Sequence, residues 1–257
     1  MTLRTSKAIL ALALALAAPA AFAGGFSTTN VQLLQGYNWD DELHPGYTSG
    51  TATTLTLNHF STWEHGDQFF FADLTRYESA PNFAGHKDAA DIYAEWHPRL
   101  WLSDFFGSKD SKGLVRHWGL AGEVNQGANF YAYLAGVGFD FNAPPGWVLG
   151  TNVFYRYDKY AYNQWQVSPF WTVPFKVGAV DFVFTGFIDV NGTKDGNGDN
   201  TWELWAQPEL LVDVLGLAGG PKGKLHAGVE WAVHTAPVGD DHETSSVPQA
   251  MVQWTIY

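Results

Sequence analysis

The sequence predicts an all-β protein, a single twelve-stranded antiparallel transmembrane β-barrel. Apolar and polar residues alternate along most of the chain, as between Ile92 and Leu102, where Tyr93, Glu95 and His97 alternate with bulky apolar residues. Aromatic residues make up 16% of the chain, more than one small core needs, and there is no cysteine. No segment after the first 23 residues is long and apolar enough for a transmembrane helix. A membrane would therefore be crossed by strands that turn their apolar face to lipid and their polar face to a lumen.

Residues 1–23 predict a secretory signal peptide that is not part of the fold. Arg4 and Lys7 precede an apolar run, and a small-x-small cleavage site ends at Ala23. We expect a mature β-barrel domain of residues 24–257 in the outer membrane of a Gram-negative cell. With the two basic residues of the signal removed, 12 basic residues face 26 acidic ones, which disfavours binding of nucleic acid polymers. The lack of cysteine fits an oxidising envelope compartment.

Twelve segments carry the alternation, with turn residues between them. In chain order the predicted strands are 28–36, 52–63, 67–77, 91–103, 114–125, 129–141, 147–158, 163–175, 179–190, 201–213, 224–235 and 247–257. Outside segments 129–141 and 147–158, residues that define the outward face are, in the same order, Leu33, Leu55, Leu74, Trp96, Leu120, Trp165, Phe184, Leu210, Val229 and Val252. Segments 129–141 and 147–158 are aromatic on both faces, and we place Asp140, Asn152, Arg156 and Asp158 inward.

The even strand number suits a closed barrel with both ends of the chain in the periplasm. The predicted periplasmic turns are 64–66, 104–113, 142–146, 176–178 and 214–223, and the predicted external loops are 37–51, 78–90, 126–128, 159–162, 191–200 and 236–246. Proline cannot donate to a strand ladder. We therefore predict bulges at Pro98, Pro169 and Pro208.

Several passages, in the same order along the chain, are similar to those of a known family. They are Leu55–Phe60 (LTLNHF), Asp67–Asp73 (DQFFFAD), Glu95–Leu100 (EWHPRL), Gly136–Phe141 (GVGFDF) and Asn152–Tyr157 (NVFYRY). With these passages the chain resembles the Tsx-like family, the nucleoside-specific channel-forming proteins of Gram-negative outer membranes. The resemblance implies a channel for passive uptake of nucleosides, without bond chemistry and without a cofactor.

A lumen that passes nucleosides needs aromatic faces for the base and acidic or amide groups for the sugar hydroxyls. Inward positions that offer such groups are the candidate substrate path: Phe69, Phe71, Asp73, Tyr93, Glu95, Arg99, Asp140, Arg156 and Asp189. The plainer interpretation is that these side chains only fill a narrow polar lumen with ion pairs. We predict no catalytic residue and no metal ligand, with membrane lipid and a small solute as partners.

Other interpretations stay open from the sequence. His59 and Ser61 share an outward face, as in twelve-stranded outer-membrane phospholipases, so a lipid hydrolase is one alternative. Asp73 and Glu95 could serve as a glycosidase pair by spacing alone. A structural or adhesin-like barrel is a further alternative. The run Asp195–Asp199 resembles part of a calcium loop, but lacks its final glutamate and is interpreted as a turn. The sequence leaves the oligomeric state open.

Overall fold

The structure is a computed structural model that describes residues 25–37, 50–78, 90–107, 112–239 and 241–256. Its strands and short helices are β1 (Ser27–Tyr37), β2 (Thr51–Trp63), β3 (Gly66–Glu78), β4 (Ala90–Leu100), α1 (Leu102–Phe105), β5 (Val115–Gly127), β6 (Tyr131–Phe141), β7 (Val148–Asp158), β8 (Tyr162–Val177), β9 (Val180–Lys194), β10 (Asn200–Ala206), β11 (Glu209–Asp213), α2 (Val214–Leu217), β12 (Leu225–Val238) and β13 (Asp241–Thr255). The predicted signal peptide and most of the predicted loops at 37–51 and 78–90 lie outside the described residues.

The strands form one closed antiparallel sheet. From β1 to β9 each strand pairs with the next one in sequence, β12 pairs with β13, and β13 closes the ring by pairing with β1. Strands β10 and β11 occupy one position between β9 and β12, so the ring is a twelve-stranded barrel, as predicted. Closure leaves no free edge strand among the described strands, which is the condition for crossing lipid with strands.

The outer wall of the barrel is apolar and exposed. Leu33, Leu55 and Leu74 lie side by side on β1, β2 and β3 and are each about half exposed. A soluble protein would bury such a continuous apolar face, whereas lipid covers it in a membrane barrel. None of the helices in the described ranges is long and apolar enough to span a membrane.

Two rings of exposed aromatic residues flank this apolar wall. We call the end with the turns at 64–65, 142–147 and 178–179 the turn end, and the opposite end the loop end. The loop-end ring contains Tyr37, Tyr133, Tyr155, Tyr157, Trp165 and Trp202, and the turn-end ring contains Phe106, Trp118, Trp147 and Trp254. Aromatic side chains prefer the two interfaces of a bilayer. The loop-end and turn-end rings therefore mark the two edges of the apolar belt.

The structure corrects three predicted boundaries. The strand predicted at 91–103 ends at Leu100, and the chain turns into α1, where the Ser103 hydroxyl accepts a hydrogen bond from the Trp118 backbone at 3.3 Å. The strand predicted at 201–213 is split into β10 and β11. The long external loop predicted at 236–246 is a tight hairpin, because β12 extends to Val238 and β13 begins at Asp241.

The predicted bulges at the three prolines are wrong. Strand pairing is interrupted beside Pro98 between β4 and β5, and beside Pro169 between β8 and β9. The register is the same on both sides of each interruption. At Pro208 the chain leaves the ladder for two residues, and its register against β9 is also unchanged. A missing N–H removes one hydrogen bond, and the neighbouring bonds are enough to hold the register.

Gly186, opposite this break, explains how the strands stay close. Its φ is +143°, and a Cβ there would lie 2.3 Å from the Gln207 carbonyl oxygen. Only glycine combines this backbone conformation with such a close approach. The Pro208 carbonyl accepts a hydrogen bond from the Trp231 backbone N–H at 2.9 Å, so β12 remains bonded to the chain between β10 and β11.

Candidate functional site: the lumen of the barrel

The inner wall is polar because every second residue of each strand points into the lumen. All nine predicted substrate-path residues lie on inward positions of the strands. They are found on β3 (Phe69, Phe71, Asp73), β4 (Tyr93, Glu95, Arg99), β6 (Asp140), β7 (Arg156) and β9 (Asp189). Whether a solute uses them is a separate question that the contacts below address.

A continuous series of aromatic rings follows one side of the lumen, and we call it the aromatic row. Ring centroids are 5.9 Å apart between Phe69 and Phe71, and 6.0 Å apart between Phe71 and Tyr93. The row continues from Tyr93 to Phe130 at 6.4 Å and from Phe130 to Tyr160 at 6.1 Å. The row therefore runs from the middle of the barrel to its loop end.

Carboxylates accompany the aromatic row. Phe71 on β3 lies directly opposite Glu95 on β4, and Asp73 lies opposite Tyr93. The Tyr93 hydroxyl donates a hydrogen bond to Glu95, and the Thr56 hydroxyl donates one to Asp73 at 2.5 Å. Aromatic and acidic side chains therefore lie next to one another on neighbouring strands, with acceptors beside a ring surface.

Arg99 is held in a fixed position near the turn end. Its guanidinium donates two hydrogen bonds of 2.7 Å to Asp67 and one of 2.9 Å to Asp140. The same group lies 4.5 Å from the ring centroid of Trp101 and 4.8 Å from that of Phe170. Bidentate pairing and stacking together explain why an arginine, and not a lysine, suits this position.

Arg156 forms a second cationic centre closer to the loop end. It donates hydrogen bonds to Asp158 at 3.0 Å and to Gln166 at 2.5 Å, and it lies 5.8 Å from the ring centroid of Phe130. Gln166 in turn donates to Ser168 at 2.9 Å. Both arginines of the lumen wall are therefore engaged by protein groups.

Other lumen carboxylates have no arginine or lysine partner among the described residues. Glu209 on β11 lies directly opposite Glu230 on β12, and Glu230 accepts a hydrogen bond from Gln249 at 2.8 Å. The charge of Asp73 on β3 also reaches Glu230. Asp189 on β9 faces the acids of β4 and β5 closely enough for their charges to interact. The lumen is therefore rich in carboxyl groups.

The lumen is narrow at its middle. Arg99 on β4 reaches the ring of Phe170 on β8, four strands away around the barrel. Gln166 is fully buried, and Asn191 and Glu123 are each 2% exposed although their strands line the lumen. Side chains from different sides of the barrel therefore meet there.

Sequence reasoning missed several residues that complete this site. Asp67 holds Arg99, Phe170 stacks on it, and His97 bridges Glu95 and Glu123. Strand alternation does identify all of them as inward. Their partners, however, depend on register and on contacts across the lumen, which a single sequence does not specify.

The outer wall holds a separate polar cluster at the residues that suggested a lipid hydrolase. His59 is bonded through Nδ1 to the Thr29 hydroxyl at 2.9 Å, and its Nε2 has no hydrogen-bond partner among the described residues. The Ser61 hydroxyl accepts a hydrogen bond from Gln68 at 3.1 Å, and Gln68 accepts one from Trp96 at 3.0 Å. A serine nucleophile needs a histidine bonded to its hydroxyl, and this arrangement does not supply one.

The run Asp195–Asp199 forms a tight turn. The Asp195 carboxylate accepts hydrogen bonds of 2.9 Å from the backbone of both Asn197 and Asp199. The carboxylate is therefore used to close the turn, as the sequence predicts.

Comparisons with known proteins find likeness only at the level of structure. No protein-family model matches the chain, and no curated protein sequence matches it. The resemblance to the Tsx-like family is therefore not confirmed by these comparisons.

Three solved structures resemble the barrel. The KdgM porin in complex with disordered oligogalacturonate is 8% identical, with a TM-score of 0.46, and the match covers 90% of this chain and 100% of the porin. A second structure, of a KdgM porin, is 7% identical, with a TM-score of 0.48 and the same coverage. A bacterial polysaccharide outer membrane secretin is 8% identical, with a TM-score of 0.40, and the match covers 89% of this chain and 98% of the secretin. We base the fold on the strand pairing of this chain itself.

Proposed function

We propose that the chain is an outer-membrane channel through which small solutes with an aromatic ring, nucleosides in particular, diffuse passively. The observation that carries this proposal is the aromatic row with carboxylates beside it on the inner wall. A flat base can stack on Phe71 or Tyr93, and sugar hydroxyls can donate to Asp73 or Glu95. No bond is made or broken in such a passage.

The apolar outer wall and its two aromatic rings support the membrane location. With the short turns placed in the periplasm and the longer loops outside, the chain has the usual orientation of outer-membrane barrels. Export by the predicted signal peptide, with cleavage near Ala23, would deliver the mature chain to that membrane.

The charge of the lumen narrows the solute class. Both lumen arginines are paired with protein carboxylates. No arginine or lysine among the described residues pairs with Glu209, Glu230 or Asp189. A narrow lumen whose described arginines are already paired offers an anion no free guanidinium to bind. We therefore infer that neutral nucleosides pass more readily than nucleotides or acidic sugars.

The test is conductance of the purified protein in planar bilayers, measured with and without added nucleoside. A solute that binds in the lumen should reduce the ion current in a saturable way. Phe71→Leu removes one stacking surface, which contributes about 1–3 kcal/mol to the binding free energy of a base. The nucleoside concentration that blocks half of the current should therefore rise. Asp73→Asn removes a charged acceptor, and we expect a loss of about 1.5–3 kcal/mol.

The matched control is Phe184→Leu, the same change on the outer wall, where Phe184 is 40% exposed. It should leave the nucleoside block unchanged. If nucleosides never reduce the current of the unmodified protein, the proposed binding path is wrong even though the barrel stands. If Phe71→Leu and Phe184→Leu behave alike, the aromatic row does not bind the base.

A further inference from the structure

Three side chains on β4 and β5 form a compact group of donor atoms in the lumen, which we call the lumen triad. They are Glu95, His97 and Glu123. His97 Nε2 lies 2.8 Å from a Glu95 oxygen, and His97 Nδ1 lies 3.3 Å from a Glu123 oxygen. One donor atom from each side chain can be chosen so that all three lie within 4.8 Å of one another.

Hydrogen bonding within the protein leaves part of the triad unsatisfied. Glu123 is 2% exposed, and its Oε1 has no hydrogen-bond partner among the described residues. The Asn125 side chain, on the same face of β5, donates to the Glu123 carboxylate, and its own side-chain oxygen is buried without a partner there. A buried carboxylate oxygen without a donor is costly and calls for an explanation such as a bound ion.

The two lumen arginines are each paired with other carboxylates, although the charge of Arg156 still reaches Glu123. Arg99 is paired with Asp67 and Asp140, and Arg156 is paired with Asp158. The only basic group in contact with the two triad carboxylates, within the described part of the chain, is therefore the imidazole between them. Asp189 adds a further carboxylate within electrostatic reach.

We propose that His97 and Glu123 of the lumen triad bind a divalent transition-metal ion of the zinc type, with Glu95 holding the imidazole in place. An imidazole nitrogen with carboxylate oxygens is a common donor set for zinc. Donors on a tetrahedral zinc ion, with bonds of about 2.0–2.1 Å, lie about 3.3 Å apart. His97 Nδ1 and the Glu123 carboxylate already have this separation, so the ion would bind between them.

Glu95 has a different role in this site. It holds the opposite nitrogen of His97, at 2.8 Å. Carboxylates in this position orient the metal-binding imidazole in many zinc proteins. Calcium and magnesium, in contrast, take oxygen ligands only, so the imidazole favours a transition metal over either of them.

Metal binding at this position goes beyond the proposed channel function. The His97 ring lies 5.7 Å from that of Phe69, the first ring of the aromatic row. An ion held there would add positive charge beside the proposed solute path. The site can nevertheless be tested on the folded barrel in detergent, without any measurement of transport.

The experiment is calorimetric titration of the detergent-folded, chelator-dialysed protein with zinc chloride. We expect one saturable ion per barrel, which excess calcium or magnesium does not displace. Glu123→Gln should weaken zinc binding at least tenfold, and Glu95→Gln should weaken it about 10- to 100-fold, as outer partners of ligating histidines do. His97→Gln should abolish it.

The matched control is His242→Gln, which removes an exposed histidine that stacks on Trp202 near the loop end. Zinc binding should be unchanged in this variant. Heat-modifiable migration in SDS gels checks that each variant is folded, and if His97→Gln fails to fold, the near-isosteric Glu123→Gln decides. Absence of saturable zinc binding, or equal loss in His242→Gln and Glu123→Gln, would overturn the proposal. Nucleoside block in metal-free protein is measured separately, so the two proposals can fail independently.

Discussion

Replacing Leu33 with arginine should destabilise the membrane-inserted barrel, and the cost should depend on depth. Leu33 is 53% exposed on the outer wall and lies between Leu55 on β2 and Val252 on β13. Its surroundings are therefore apolar on both sides, as expected for the middle of the lipid belt. An arginine on the lipid face at the bilayer midplane costs about 2–4 kcal/mol.

Tyr37 provides the comparison on the same strand and the same face. It is the last residue of β1 and belongs to the loop-end aromatic ring. With a rise of about 3.4 Å per residue and a strand tilt of about 40°, its position is roughly 10 Å nearer the interface than Leu33. Tyr37→Arg should therefore cost only about 0–1 kcal/mol.

The measurement is a reversible denaturant titration of the protein in lipid vesicles, followed by tryptophan fluorescence. Leu33→Ala serves as a control that removes apolar surface without adding charge. Equal unfolding free energies for Leu33→Arg and Tyr37→Arg would show that the exposed apolar face does not lie in lipid. The assignment of inner and outer walls would then have to be abandoned.

Three further predictions concern the lumen and the strand packing. Arg99→Ala should destabilise the barrel by about 3–5 kcal/mol in the same titration, because it leaves the carboxylates of Asp67 and Asp140 without their cation. A variant as stable as the unmodified protein would contradict this ion pairing. Gly136→Ala should lower the free energy of unfolding by about 1–3 kcal/mol, because the added Cβ would lie 1.9 Å from a backbone oxygen. Gly122→Ala should lower it less, because its added Cβ would lie 3.6 Å from the nearest atom. The opposite order would refute the close approach of the strands at Gly136. The channel should prefer cations in reversal-potential measurements across a salt gradient, because both lumen arginines are paired with carboxylates; selectivity for anions would refute this reasoning.

The sequence alone determined the strand count and the facing of each strand. Alternation with a period of two is a local property, and a lipid-facing strand such as β2 shows it plainly in Leu55 and Thr56. The same alternation placed Asp140 and Arg156 inward, although their strands are aromatic on both faces. Strand ends at the rim were predicted less well, because the turn residues around 236–246 do not show that β12 and β13 continue beyond the lipid belt as a hairpin.

Only the tertiary structure decided which lumen side chains meet. Arg99 could pair with any inward acid, and the choice of Asp67 and Asp140 follows from the register of β3 and β6 relative to β4. The lumen triad likewise joins Glu95 and His97, which are near in sequence, to Glu123 on the next strand. Register and closure bring residues together from separate strands, and these pairings are long-range properties that no local pattern encodes. The sequence therefore determined a membrane barrel with a polar lumen, and the closed sheet decided where in that lumen charge, aromatic rings and donor atoms are concentrated.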